Sequence, residues 1–490
     1  MFDILLQKIE ALERASALQA TLIAMRDREI FELRATIAAR DAEILRLNEV
    51  IKTQNERIAK LEARLNTNSS NSSKPPSSDP PWEKKPSKGL SNGKRGAQKG
   101  HKGIARELVP VGEVDVIVPC KPADFCACGG AVDLDESDPE RKQVFEIPQI
   151  KPHITEFQVF SGECSCCAAK MRGELPSDAP SGMLGPNAQA TIALLTGKYH
   201  LSKRDVQELF SDYFGLSICV GTVCNAEQQV SAALEAPYEE LVAAVKEEAV
   251  VAADETGHKI AGKQGWMWLA VTTLYAVFFA RASRSKKVAQ EILGLCFSGI
   301  LISDRYNGYL WVSRRQLCWA HLIRDLNKLA DAGGLAARFA CPVLIYVQKM
   351  FSVWHRFRED EIDRDQLKTE MQPTRINIEK CLEQGQTVPL AEALCKSLWH
   401  LKAALWAFID YEGVEPTNND AERMVRQYVI WRKTSFGTQG EKGNQFVERI
   451  LTAVGTCKRQ KRSVFDYLSK LMTARSQGLP APSLLQNNTL

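Results

Sequence analysis

Ile23, Ile30, Ile37, Ile44, Ile51, Ile58 and Leu65 fall at strict seven-residue spacing, with Leu33, Leu47 and Leu61 on a second seam beside them. No Gly or Pro interrupts the run. Such a repeat keeps one apolar stripe of a long helix turned toward a partner helix. Isoleucine at one core position and leucine at the other favours a parallel two-stranded coiled coil, which Arg40 and Gln54 on the second seam weaken while fixing its register. The repeat predicts a coiled coil over 1–66 and, through it, a homodimer or higher assembly. A long helix folded back on its own body is the other reading.

A chain of 490 residues has room for two to four domains of about 100–200 residues. The formal net charge is only +4, so affinity for nucleic acid must come from local clusters. The N-terminus MFDILLQKIEALERA carries acids in its first turns and does not resemble a secretory signal. No uncharged apolar run reaches the roughly 18 residues that a membrane span needs. The expectation is a cytoplasmic protein without membrane contact. Its 14 cysteines then point to free thiols and a metal site rather than to disulfides.

The stretch NTNSSNSSKPPSSDPPW, residues 66–82, is too polar and proline-rich for a packed core. From Trp82 to Arg106 basic residues that include Lys94, Arg95, Lys99 and Lys102 face Glu83 alone, a local charge of +7. Interleaved glycines would let this arm, part of a linker over 67–106, follow a phosphate backbone. A solvated linker is the alternative.

Residues 107–175 read as a small β-rich module, with VDVIV, QVFEI and ITEFQVF as extended runs. A CxC followed by GG and, about 36 residues on, a CxCC resemble two zinc knuckles, with Cys126, Cys128, Cys164 and Cys167 as candidate zinc ligands. Residues 186–247 read as helical. Within them SKRDVQELFSDYFGLSICVGTVCNAEQQVSAAL suits a helix, a turn at Gly215 to Ser217 and a second helix from near Gly221. The exposed side of that second helix lacks Arg and Lys, so a structural pair and a DNA-reading helix-turn-helix both stay open.

From Glu248 the pattern changes to three short strands, a helix from Lys286 and a fourth strand, GILISDRYNGY. This order suggests a mixed sheet whose first and fourth strands lie side by side in parallel. Asp254 and Asp304 are then expected at the C-terminal ends of those strands, where ligand sites of open α/β sheets gather. Two carboxylates on adjacent buried strands repel each other and are costly to desolvate. A divalent cation removes both problems, and a pair of Mg²⁺ ions about 3.5 to 4 Å apart serves phosphoryl transfer. Holding such a pair needs a third acid. EPTNNDAERMVRQ, residues 415–427, offers Glu422 in the first turn of a helix that starts near Asn419 or Asp420, with Asp420 and Glu415 as rivals. Arg423, Arg426, Arg432 and Lys433 follow and suit phosphate contacts.

With these segments in view, the chain resembles bacterial insertion-sequence transposases of the IS66 family. The resemblance rests on the coiled coil, NSSNSSKPPSSD at 68–79, GAQKGHKG at 96–103, the cysteine module, DETG at 254–257, SDRYNGY at 303–309, CWAHLIRD at 318–325, NNDAERMVR at 418–426 and the tail around TCKRQKRSVFDYL. It implies a multidomain α+β chain with an RNase H-like α/β catalytic domain over 248–440, an all-α insertion at about 335–410 and a helical tail over 441–490. It also implies a DDE triad of Asp254, Asp304 and Glu422, using two Mg²⁺ or Mn²⁺ ions to cut double-stranded DNA at transposon ends and join it to target DNA. Terminal inverted repeats, accessory element-encoded proteins and a place at the bacterial nucleoid belong to the same implication. Cys318 and His321 match a Cys-x-x-His signature of similar transposases and are expected to support the site. One departure concerns zinc: Phe125 stands where such chains carry the first cysteine of a CxxC, and Cys126 comes one position late. A structure-selective RNase H-like nuclease and a non-catalytic DNA-binding regulator are the competing classes.

Overall fold

The computed structural model describes residues 2–65, 106–135, 139–176, 179 and 182–485. The stretch 66–82 and the arm residues Lys94, Arg95, Lys99 and Lys102 lie outside the described residues. The chain divides into two units, Met1–Asp79 with Trp319–Lys402, and Pro80–Cys318 with Ala403–Leu490.

In the first unit, helix α1 runs unbroken over Phe2–Leu65. Its seam residues Ile23 to Ile58 are 47–59% exposed, so the apolar stripe is uncovered within one chain. The same unit holds four further helices, α7 (Trp319–Asp331), α8 (Gly334–Arg358), α9 (Arg364–Gly385) and α10 (Glu392–His400). They pack in chain order, each on the next. In α8 the buried residues Ala336, Phe339, Ala340, Val343, Val347, Met350 and Trp354 recur at three- and four-residue steps, one face of a helix. Asp363 and Gln366 form a capping box that starts α9.

The second unit begins with the cysteine region, and here the β-rich expectation needs correction. Among the described residues of 107–175 there is one short hairpin, β1 (Ser161–Glu163) with β2 (Lys170–Arg172). Val116, Val118, Val144, Ile147 and Ile154 are exposed. These runs alternate as strands do, but no opposing layer covers them, and without burial there is little to hold a ladder.

Four helices follow: α2 (Pro186–Gly197), α3 (Lys203–Phe214), α4 (Val220–Ala233) and α5 (Glu235–Glu247). Ser202 and Asp205 box the start of α3, and Gly215 ends it at φ 62°, a left-handed position that glycine takes without a steric penalty. Ile192, Val206, Phe210, Ile218, Val223 and Ala226 form the core that fixes α3 against α4.

The central sheet has the order β5-β4-β3-β6-β7, with β3 (Val250–Ile260), β4 (Lys263–Val271), β5 (Ala276–Arg281), β6 (Ile300–Ser303) and β7 (Arg315–Leu317). Helix α6 (Lys286–Leu293) carries the chain from β5 to β6, which lies parallel to β3 as the strand order suggests. The three-residue β7 adds a parallel edge that sequence reading does not foresee. The short α11 (Ala407–Asp410) is followed by α12 (Asn419–Ser435), α13 (Glu441–Arg459) and α14 (Val464–Ser476).

Residues 441–459 do more than trail behind the sheet. Glu448, Thr452 and Thr456 of α13 accept hydrogen bonds from the backbone N–H groups of Ala280, Phe278 and Ala276 along the free side of β5. Four residues of helix rise about 6 Å and two residues of strand about 6.6 Å, so the two repeats stay in step. An edge strand that would otherwise offer unpaired donors is thereby closed. Gly455 allows the approach, since a Cβ there would sit 3.0 Å from that of Ala276.

Candidate active site

The register of the sheet brings the first two acids together. Ala252 of β3 pairs with Ile302 of β6. Asp254 and Asp304 each stand two residues beyond that pair, so continuing the parallel register sets one opposite the other. The strand does not stop at the acids, however, which corrects the expectation that Asp254 closes β3. The ladder with β4 continues through Asp254↔Leu269 to Ile260↔Lys263. Asp254 marks instead the region where β3 has lost its parallel neighbour and keeps its antiparallel one.

Asp254 and its neighbour Glu255 have different surroundings. The Glu255 side chain is buried, accepts from Arg284 Nε at 2.8 Å and from Tyr309 Oη at 2.7 Å, and is also bonded by Arg284 Nη2. Burial and the nearby Asp304 raise its pKa, while Tyr309 and Arg284 pull it back. Asp254 has only the backbone N–H of Glu255 on its Oδ1, at 2.9 Å. Burial, then the charges of Glu255, Asp304 and Glu422, push its carboxyl up to about 8. Asp304 accepts from the backbone N–H of Tyr306 at 2.9 Å and lies 4.0 Å from Arg284. The guanidinium of Arg284 rests over the Tyr306 ring, 4.0 Å from its centroid.

Glu422 enters from α12. That helix starts at Asn419, as expected, with Asn418 as its cap. Of the rivals, Asp420 turns elsewhere, to Arg459 at 2.7 Å and Arg423 at 3.5 Å, whereas Glu422 belongs to the set of charges that raise Asp254. Cys318 Sγ lies within 4.8 Å of a Glu422 carboxylate oxygen.

Three hydrogen bonds stitch the acid-bearing segments together. The N–H of Cys318 donates to the carbonyl of Ser303, just before Asp304. The N–H of Asn418 donates to Cys318 Sγ at 3.1 Å. The side-chain amide of Asn418 donates at 2.8 Å to the carbonyl of Ala253, just before Asp254. Asn418 Oδ1 is buried without a hydrogen-bond partner among the described residues. Arg315 on β7 is also buried, donates from Nη2 to the carbonyl of Asp304 at 3.1 Å, and leaves Nε and Nη1 unpartnered. Sequence reading missed Asn418, Arg315, Arg284 and Tyr309. The NND start of the α12 segment is the available signal for Asn418 and the SDRYNGY stretch for Tyr309, and nothing local marks Arg284 and Arg315.

The remaining residues singled out in the sequence sit on several elements. Arg423, Arg426 and Lys433 are exposed on α12. The Arg432 guanidinium donates to Thr256 Oγ1 at 3.3 Å and to the carbonyl of Gly257, which fastens α12 along β3. His321 lies on α7, in the other unit. Cys126 and Cys128 share one tight turn, and Cys164 and Cys167 another. Hydrogen bonds from the backbone N–H and thiol of Cys128 lower the thiol pKa of Cys126, and those of Cys167 with the N–H of Cys166 do the same at Cys164. Among the described residues, no three of these sulfurs gather within 4.8 Å of one another. Asp254, Asp304 and Glu422 supply oxygen ligands of the kind a hard divalent cation takes, and the charges of the latter two help to raise the pKa of Asp254, although the three carboxylates do not all lie within 4.8 Å of one another.

A model of the IS66 transposase family matches residues 181–445, more than half of the chain. The chain belongs to that family. A family of unknown function (DUF6444) matches residues 23–107. The uncharacterized protein y4qI of Sinorhizobium fredii (strain NBRC 101917 / NGR234) is 26% identical over 219 residues, 40% of this chain and 39% of that protein. The chain thus matches well under half the length of this relative. Among the described residues, no helix is long and apolar enough to cross a membrane.

Proposed function

We propose that this protein is a DNA transposase which cuts the terminal inverted repeats of its element and joins them to target DNA at an RNase H-like site of Asp254, Asp304 and Glu422. The observation that carries the reading is that the parallel register of β3 and β6 sets Asp254 opposite Asp304, while the charges of Asp304 and of Glu422 on α12 help to raise the pKa of the buried Asp254 carboxyl. Such a set of carboxylates is suited to two Mg²⁺ or Mn²⁺ ions, which when bound would polarise a phosphodiester and activate the attacking oxygen. The sheet order supports the RNase H-like assignment, because the acid-bearing first strand lies between its antiparallel hairpin and the parallel strands.

The chain's own residues supply the frame. Arg284 neutralises Glu255 and Tyr309 donates a hydrogen bond to it, which together keep it from competing for a cation. Asn418 and Cys318 fix the start of α12, and Arg432 fixes its far half. Arg423, Arg426 and Lys433, with Lys94, Arg95, Lys99 and Lys102 of the N-terminal arm, contact DNA phosphates. The uncovered seam of α1 supports pairing of two chains, which sizing of residues 20–66 would test. Zinc would require the two cysteine turns to close on each other, and metal analysis of the purified protein addresses it.

The direct test is incubation of purified protein and Mg²⁺ with DNA carrying the inverted repeats that flank its gene. Cleavage at the repeat ends followed by joining supports the proposal. Cleavage without joining would favour a nuclease, and binding alone a regulator.

A further inference from the structure

Two adjoining cavities in the second unit, of about 340 and 410 Å³, share Gln427 and Lys458 in their walls. Six cations line them: Lys198 at the end of α2, Arg423 on α12, Lys458 and Arg459 in the last turn of α13, and Lys461 and Arg462 just after it. Asp420 is the one acid among the lining residues. It is held by Arg459, whose Nε also donates to the carbonyl of Thr273, so this pair serves to pin α13 to α12 and to the turn before β5.

Arg423 shares the same carboxylate at 3.5 Å, and the remaining four cations are not spent in this way. Lys198, Lys458 and Lys461 have no carboxylate partner among the described residues, and Arg462 bonds only Gln460 and covers the Tyr467 ring. Cations at helix C-termini offset the helix dipole, which is a structural reason for some of them. Two converging C-termini supply only about half a negative charge each. Against six cations and one acid, a surplus of roughly four positive charges remains in a concave surface, where the field is focused.

We infer that this groove is a binding track for the sugar-phosphate backbone of duplex DNA, separate from the acid cluster and leading to it. Its ligand chemistry is a row of phosphodiesters, met by long flexible ammonium groups that contact charge and not base edges. Arg423 adjoins Glu422 in the chain, so a backbone followed from Lys198 past Lys461 and Lys458 arrives at the helix that carries the third acid. The inference rests on the transposase reading for its partner, yet apart from Arg423 it concerns residues that no part of that reading uses.

The test measures binding of the full chain to a fluorescent duplex as a function of salt, for the wild type, K458Q/K461Q and, independently, K198Q. All three positions are exposed, and thermal unfolding establishes that the variants are folded. The double variant is expected to bind on the order of ten- to a hundredfold more weakly at 0.1 M salt, with a salt slope shallower by about 2, equally for element-end and unrelated duplexes. K198Q is expected to lower the slope by about 1. Unchanged affinity and slope overturn the inference, as does a loss confined to single-stranded DNA. If the groove variants lose duplex affinity while the wild type never cuts DNA, the transposase reading fails and the groove stands. If the wild type cuts and the variants bind normally, the reverse holds.

Discussion

The side-chain amide of Asn418 donates to the carbonyl oxygen of Ala253 at 2.8 Å, joining residues 165 positions apart and setting the start of α12 beside the residue that precedes Asp254. Removing that donor leaves a buried carbonyl unsatisfied, a cost of about 1–3 kcal/mol. Asn418→Ala is therefore expected to lower unfolding free energy by that amount and to reduce the rate of DNA cleavage while leaving DNA affinity unchanged. Denaturant unfolding, cleavage kinetics and anisotropy on one preparation check the three parts. Loss of DNA affinity alone would contradict the positioning role.

Asp254 and Glu255 are expected to respond with opposite signs. Asp254 is held in repulsive surroundings, so Asp254→Asn should stabilise the metal-free protein at pH 7 by on the order of 1–4 kcal/mol. Glu255→Gln strips Arg284 and Tyr309 of their buried partner and should destabilise by about 3 kcal/mol. Mg²⁺ should raise the melting temperature of the wild type, because a ligand that binds only the folded state stabilises it. The rise should vanish in Asp254→Asn. Calorimetric scans with and without Mg²⁺ read all of these, and an unchanged response in that variant would remove Asp254 from the metal site.

Glu448 provides a pH signature away from the acid cluster. Burial, only partly offset by Arg281 and the N–H of Ala280, raises its carboxyl to about 7. The folded state thus holds this proton more tightly than the unfolded one. The contribution favours the fold below the ordinary carboxylate range, declines as pH rises from about 4.5, and levels off above about 7. The total is on the order of 3 kcal/mol. Subtracting the pH profile of unfolding free energy of Glu448→Gln from that of the wild type should isolate this decline, and parallel profiles would contradict it.

Much of the frame is legible in the sequence because it is local. Strand and helix periods between Glu248 and Tyr309 suffice to set β3 beside β6 and so Asp254 beside Asp304, and Gly215 announces the break between α3 and α4. What escapes notice is decided by distant partners. Continuation of β3 past Asp254 depends on β4 and not on residues 250–257 themselves. The burial of Arg315 depends on β7, a strand too short for any periodicity. The bonds from Thr452 and Thr456 to β5 cross more than 170 positions of chain. In residues 107–175 the error runs the other way, since alternating apolar residues imitate strands that have nothing to pack against.

The central claim is that Asp254, Asp304 and Glu422 together carry out DNA strand cleavage and joining. Asp254→Asn, Asp304→Asn and Glu422→Gln, each assayed with Mg²⁺ on DNA bearing the element's ends, should abolish both reactions and retain wild-type affinity for that DNA. Full cleavage by any one of the three variants would contradict the account.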